Sequence, residues 1–278
     1  MSSWGKYLSV EQDQSTALPG ANTMTTLTET GIVNAVRKFD RAAFMKNGYV
    51  IIEKLFNDVE IDALRCAATG LESACGPLVH ENPRVRIDII DGKARPKKIE
   101  PLIDVSPEFA QLTRDARIIE IMKSIFQEEP VLFEDKLNYK YPRGGGEFAL
   151  HQDKWYWTNI PARQIASILI YLDDATAENG CLEVYPQAHL QGLFEMDRKK
   201  GISEEVFARR NRSKAIGPAG TAIVFDSMTP HLSKENYSEK FRRAIIVSYN
   251  PLSDGCYYDA GCGQARDQHR KWMSTQES

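Results

Sequence analysis

Phe148-Ala-Leu-His151-Gln152-Asp153-Lys154-Trp155-Tyr156-Trp157 is the most informative stretch of this 278-residue chain. Its first half is β-prone, and on a strand residues i and i+2 project to one face. His151 and Asp153 are therefore expected to point together into a barrel mouth and to share one cation. An HxD pair alone does not complete a site, because a facial metal centre needs a second imidazole from elsewhere. His80, His189, His231 and His269 are the other histidines. His231 is the best placed, since it follows the apolar run Thr221-Ala-Ile-Val-Phe225 through a short polar turn. Two neutral imidazoles and one carboxylate on one face of an ion leave three positions open, the arrangement that suits non-haem iron(II) oxygenases. Open positions require a co-substrate. Arg242, eleven residues past His231 and just before the apolar strand Ala244–Val247, can hold a carboxylate bidentately inside the barrel. Its neighbour Arg243 would then face solvent, because adjacent strand positions alternate.

Outward from this stretch, the chain changes texture at position 130. Val131–Glu134, Leu137–Tyr141, Phe148–Gln152, Ile165–Leu172, Leu182–Tyr185, Ala222–Phe225 and Ala244–Tyr249 are short β-prone segments separated by turn residues such as Arg143-Gly-Gly-Gly146. Before position 130 the periods are helical: Ala35–Phe44 runs into a buried strand at Gly48–Glu53, Asn57–Leu71 has a cap at Asn57 or Asp58, and one helix is expected from Pro107 through Phe126. The charged stretch 81–100 reads as strands or a hairpin with a solvated face. Helices followed by seven or more short strands describe a β-sandwich or jelly roll buttressed by helices. Residues 1–30 are polar and aperiodic, a tail or a late-packing arm.

Composition excludes several functions. With 35 Lys and Arg against 38 Asp and Glu, the formal charge of −3 is wrong for a generic nucleic-acid binder. The longest apolar runs, such as Ile165–Leu172, are far too short to span a bilayer. Five cysteines, odd in number and without a CxxC pair, suggest neither a disulfide framework nor a structural zinc site. The first twenty residues lack the basic-then-apolar order of a secretory signal, and a cytoplasmic protein is the expectation.

Three elements in order, the HxD pair, YLDDATAENGCLEVYPQAH at 171–189 and GTAIVFDSMTPHLSKENYSEKFRRAIIVSYN at 220–250, resemble the phytanoyl-CoA dioxygenase family of Fe(II)/2-oxoglutarate oxygenases. The resemblance spans roughly residues 40–250 and implies an α+β fold with a double-stranded β-helix (jelly-roll, cupin-like) core buttressed by helices. It implies His151, Asp153 and His231 as iron ligands at the catalytic centre and Arg242 as partner of the distal carboxylate of 2-oxoglutarate. Asn138 and Ser233 stand where the ectoine-hydroxylase branch contacts the co-substrate, and Lys136, on the same strand face as Asn138, would add a cation there. Trp157 falls at that branch's substrate-lining aromatic position, a role that Trp155 would share. Gln152 and Lys154 depart from the branch's small and aromatic residues, which argues against ectoine itself as substrate. Asp153 occupies a position that related halogenases fill with a small residue, so hydroxylation or desaturation is favoured over chlorination.

The expectation is thus one oxygenase domain over 31–278 that uses Fe(II), 2-oxoglutarate and O2, hydroxylates an aliphatic carbon of a small polar or anionic metabolite, and releases succinate and CO2. The local excess of Lys136, Lys140, Arg143, Lys154 and Arg163 argues for an anionic substrate. Residues 196–214 interrupt the strand series, as a lid or recognition loop or as a solvated surface helix. The alternatives are an acyl-CoA or natural-product hydroxylase, a non-catalytic cupin-like metal or ligand binder, and a zinc hydrolase. The partner is a small molecule, with no nucleic acid and no membrane; the oligomeric state stays open.

Overall fold

A computed structural model describes residues 37–75, 81–258, 268 and 271, so the arm expected at 1–30 lies outside the described residues. The Asp40 carboxylate accepts the Ala43 amide and opens helix α1 (Arg41–Asn47), which leads directly into strand β1 (Tyr49–Ile52). Asn57 and Glu60 then form a reciprocal capping box, the Glu60 amide on Asn57 Oδ1 at 3.0 Å and the Asn57 amide on Glu60 Oε2 at 2.8 Å, and start α2 (Asp58–Cys75). The charged stretch 81–100 is a hairpin of β2 (Val85–Ile90) and β3 (Lys93–Ile99).

The single helix expected over 107–126 is two, α3 (Pro107–Leu112) and α4 (Ala116–Phe126). Asp115 makes the break: its carboxylate accepts the Arg117 amide at 2.9 Å, which satisfies a helix start and competes with continuation. Arg117 also reaches Glu60 at 2.7 Å and so ties α4 to α2. The two strands expected at 131–134 and 137–141 are one, β4 (Pro130–Asn138), because its charged centre is partnered on both faces. Asp135 accepts the Leu102 amide at 2.6 Å and the Tyr258 hydroxyl at 2.6 Å, while Lys136 donates to Glu134 at 2.7 Å on the other side.

The remaining elements are β5 (Phe148–His151), a single helical turn α5 (Asp153–Tyr156), β6 (Ala166–Tyr171), β7 (Leu182–Val184), β8 (Ser213–Ala215), β9 (Ala222–Asp226), β10 (His231–Ser233) and β11 (Ala244–Pro251). They form two antiparallel sheets, β1-β9-β6-β11-β4-β3-β2 and β5-β10-β7-β8. The larger sheet is covered on both faces. Ile168, Ile170, Val224, Ile245 and Val247 pack outward in one core with Ile118, Ile121, Met122 and Ile125 of α4, each such side chain contributing about 2 kcal/mol on leaving water. The alternate residues Leu169, Tyr171, Ile223, Phe225 and Ile246 point inward. Burial on both faces explains why β6 reads as Ala-Ser-Ile-Leu-Ile-Tyr, apolar but for Ser167, whose hydroxyl pairs with that of Ser248 at 2.8 Å. This is a double-stranded β-helix with helices on its outside. Among the described residues no helix is long and apolar enough to cross a membrane.

Candidate active site

Strand pairing places the first two ligand candidates. In the β5–β10 ladder His231 lies directly opposite His151, and the two rings are 4.2 Å apart between centroids. Each Nδ1–H donates to a backbone carbonyl two residues earlier, His151 to Ala149 at 2.7 Å and His231 to Thr229 at 2.9 Å. A carbonyl only accepts, so both rings are held in the tautomer that leaves Nε2 free as a metal ligand. Asp153 joins them by a different route from the one expected. The strand ends at His151 and Asp153 is the first residue of α5, so the HxD pair does not share a strand face. Its Oδ1 nevertheless lies 3.5 Å from His151 Nε2 and 4.0 Å from His231 Nε2, and the three donor atoms all fall within 4.8 Å of one another. Burial opposes the charge of Asp153, but Lys136 and the two imidazoles outweigh it and hold the carboxyl well below the usual range. Burial and the neighbouring His151 push His231 down to about 4, so its ring is neutral at pH 7. Two neutral nitrogens and one anionic oxygen form a donor set that fits iron(II).

A second constellation lies on β4, β10 and β11. Arg242, 2% exposed, donates from Nη2 to Ser233 Oγ at 2.9 Å, and its guanidinium carbon lies 5.9 Å from the centroid of the Tyr171 ring. It makes no ion pair among the described residues, Nε is buried without a partner, and burial depresses its proton affinity. Asn138 Oδ1 is likewise buried and unpartnered. A buried guanidinium beside open polar atoms is an incomplete arrangement that a carboxylate would complete. The Ser233 hydroxyl donates to the Gly180 carbonyl at 2.7 Å, and Gly180 has φ +77° in the tight turn before β7. A Cβ there would fall 2.2 Å from the Lys234 carbonyl oxygen, so only glycine fits. Fully buried Lys140 donates to the carbonyls of Gly146 at 2.7 Å, Ser233 at 3.3 Å and Lys234 at 2.6 Å and fastens the same corner.

Arg243 corrects the expectation of a solvent-facing side chain. It is 8% exposed and paired with Asp173, Nη2 to Oδ1 at 2.8 Å and Nε to Oδ2 at 2.9 Å, with Thr69 Oγ1 at 3.0 Å from Nη1. The sheet face away from the cavity is roofed by α2, so a residue pointing there meets protein. His189 donates toward the Met45 carbonyl at 3.2 Å and is not a member of the metal-ligand cluster.

Both constellations open into one cavity of about 330 Å3, whose walls include Asn138, His151, Asp153, Trp157, His231, Ser233 and Arg242. Lys136 is also on its wall, but its ammonium is engaged by Glu134 and lies 5.7 Å from the Trp157 ring centroid. The cavity-lining place expected of Trp155 is taken by Tyr156. On the helical turn α5 Tyr156 lines the cavity, whereas Trp155 packs with Leu150, Tyr185, Met196 and Leu232.

The expected crowd of cations around the site is also corrected. Arg143 pairs with Glu239 at 2.5 Å, Arg163 with Asp254, and Lys154 caps the Ala162 carbonyl at 2.8 Å. The cavity cations outside that expected group are Lys98, Arg198 and Lys199. The last two come from the 196–214 segment, whose helical part among the described residues is one short 3-10 turn, Glu204–Phe207, away from these two cations. Asp197 Oδ1 accepts the amides of Lys199 and Lys200, both at 2.8 Å, in a turn closed by Gly201. A Cβ on Gly201 would lie 2.4 Å from the Leu150 carbonyl oxygen, so the turn sits flush against β5. Gln152, the middle residue of HxD, anchors the approach to this segment through Gly192, Phe194 and Met228 at 2.6–2.9 Å.

A jelly roll with a two-histidine, one-carboxylate face and a buried arginine that has no ion pair among the described residues defines a mononuclear iron(II)- and 2-oxoglutarate-dependent oxygenase. The chain belongs to the phytanoyl-CoA dioxygenase (PhyH) family, whose profile matches residues 44–244. It is similar to the methylphosphonate hydroxylase of Gimesia maris, 29% identical over 210 residues that cover 76% of this chain and 79% of that protein. The 2-aminoethylphosphonate dioxygenase of an uncultured bacterium is 30% identical over 159 residues, covering 57% of this chain and 60% of the relative. Among solved structures, EctD from S. alaskensis with 2-oxoglutarate and 5-hydroxyectoine matches with a TM-score of 0.66 at 28% identity, over 77% of this chain and 76% of that one.

Proposed function

We propose that the protein hydroxylates an aliphatic carbon of a small anionic metabolite, in the first instance an alkylphosphonate. One atom of O2 would enter the substrate as hydroxyl and the other the succinate left when 2-oxoglutarate loses CO2. The carrying observation is the pair of rim cations: the side chains of Arg198 and Lys199 form no hydrogen bond or ion pair among the described residues, yet both line the cavity. With Lys98, Lys136 and Arg242 they make five cations against the three carboxylates Glu100, Glu134 and Asp153 on its walls. Such a surplus draws in and orients an anion. The names of the two phosphonate-acting relatives support the same class.

In this reading His151, Asp153 and His231 hold iron(II), which when bound with 2-oxoglutarate supplies the activation of O2. Arg242, Ser233 and Asn138 receive the co-substrate and fix its orientation. Arg198 and Lys199 close over the anionic head of the substrate, and Trp157, Phe225 and Leu169 keep water from the reacting carbon. The cavity volume suits one co-substrate and one metabolite rather than an acyl-CoA.

The test is anaerobic titration of the protein with Fe(II) and then 2-oxoglutarate, followed through the visible charge-transfer band, and then succinate release in air with and without methylphosphonate and ethylphosphonate. A saturable band and stimulated succinate release are expected. A folded protein that gives no band, or whose succinate release no small anion stimulates, overturns the proposal.

A further inference from the structure

Opposite in character to the cationic rim is the wall made by the end of β3 and the middle of β4. There Lys98, Glu100, Glu134 and Lys136 line the cavity together. Glu100 Oε1 takes the Lys98 ammonium at 2.5 Å and Glu134 Oε2 takes the Lys136 ammonium at 2.7 Å. These two pairs balance in charge but not in hydrogen bonds: Glu100 Oε2 is buried and has no partner. The two carboxyls are shifted in opposite directions. Burial opposes the charge of both; Lys98, Lys136 and Arg86 hold Glu100 ionised below its ordinary range, whereas burial raises Glu134. An ionised carboxylate with one oxygen sealed from water and undonated lacks one strong N–H donor, a costly omission unless a ligand supplies it. The cavity thus lacks an anion at Arg198 and Lys199 and a donor at Glu100.

Resting on the proposed hydroxylase reading, we infer that the substrate is a small zwitterion, an amine-bearing phosphonate or its carboxylate counterpart, and that Glu100 is the residue that reads its ammonium group. An ammonium presents three donors and matches the orphan oxygen in charge. An alkyl anion without the amino group leaves that oxygen empty. Discrimination then comes from the unpaired group that the wrong substrate leaves behind, a stronger filter than apolar fit.

Two matched pairs test this with the Fe(II)- and 2-oxoglutarate-loaded full chain: 2-aminoethylphosphonate against ethylphosphonate, and β-alanine against propionate. Succinate release gives apparent KM and kcat, and perturbation of the visible band under anaerobic conditions gives binding without turnover. The amino member of at least one pair is expected to bind at least tenfold more tightly than its partner. Glu100→Gln should erase most of that preference, with less than twofold change for the alkyl member and for 2-oxoglutarate. Preference confined to the carboxylate pair would overturn the phosphonate assignment and support the zwitterion. Equal binding within both pairs, or an equal loss for both members in Glu100→Gln, would overturn the zwitterion and leave the hydroxylase standing. No response to any of the four compounds would overturn the zwitterion inference, while a band with 2-oxoglutarate and stimulation by some other anion would keep the oxygenase reading alive.

Discussion

Arg242 is aimed by a single hydroxyl: its Nη2 lies 2.9 Å from Ser233 Oγ, across the gap between the two sheets, and that hydroxyl is itself fixed by the Gly180 carbonyl at 2.7 Å. The relation separates two energies. Replacing Arg242 with Ala should weaken 2-oxoglutarate binding by roughly 2–5 kcal/mol, the scale for truncating one partner of a buried, hydrogen-bonded charge pair. Ser233→Ala removes the aim but keeps the charge and should cost about 1 kcal/mol. Titration of 2-oxoglutarate into the Fe(II)-loaded variants measures both, and an Arg242→Ala protein with unchanged affinity would remove this arginine from the co-substrate site.

Arg243 supplies the control. Its bidentate pairing with Asp173 is structural, so Arg243→Ala leaves a carboxylate that is only 16% exposed with Arg65 at 3.4 Å as its remaining cation and should lower unfolding free energy by about 1–3 kcal/mol. Affinity for 2-oxoglutarate should stay within about twofold, since a residue outside the site leaves the binding contacts intact. Urea denaturation and the same titration check the pair of outcomes; loss of affinity with unchanged stability would reverse the roles of the two arginines.

Asp135 predicts a pH dependence. Burial pushes its carboxyl up to about 6, against the opposing pull of the Tyr258 hydroxyl and the Leu102 amide. An unfolded aspartate ionises near 3.9, so between these values the folded state binds the extra proton and stability contributed by this group falls as pH rises. Asp135→Asn does not titrate. Its stability relative to the parent should therefore rise by about 2 kcal/mol between pH 4 and pH 7 and then level off. Parallel denaturation curves at four pH values decide it, and a constant difference would place the carboxyl in its ordinary range.

Gly180 joins the fold of its turn to the Ser233–Arg242 pair. Gly180→Ala forces a Cβ against the Lys234 carbonyl in a backbone region unfavourable to L-residues, at a cost of about 1–3 kcal/mol. Because the Gly180 carbonyl holds Ser233, affinity for 2-oxoglutarate should fall with stability. Destabilisation with unaltered affinity would uncouple the turn from the arginine.

Much of this was open to reading from the chain. The apolar runs around β6, β9 and β11 are strands because alternate residues face two different apolar layers, and a second histidine after an apolar strand is where a facing ladder would bring one. Period-2 reasoning misled once the chain left β5: Asp153, Trp155 and Tyr156 follow a helical turn, so the cavity receives Tyr156 in place of Trp155. Glu100 and Glu134 were hidden among lysines in segments whose charge looked like a solvated face. Charge alternation along β3 and β4 is equally the pattern of a polar cavity wall, and only the second sheet lying over it tells the two apart. For Arg198 and Lys199 the interruption of the strand series at 196–214 pointed to a recognition loop or a surface helix alike, and the turn Asp197–Gly201 becomes part of the cavity wall through its seat on β5.

The cavity is assembled from parts with different freedom to change. His231, Ser233 and Arg242 sit within or beside fully buried strands of both sheets, where almost any substitution disturbs packing. Arg198 and Lys199 ride on a connecting segment that is held in place by residues other than themselves, Asp197, Gly201 and Gln152 among them. Evolution, or an engineer, can therefore retailor what the protein accepts by rewriting a few positions of that segment, while inheriting the oxidative chemistry unaltered.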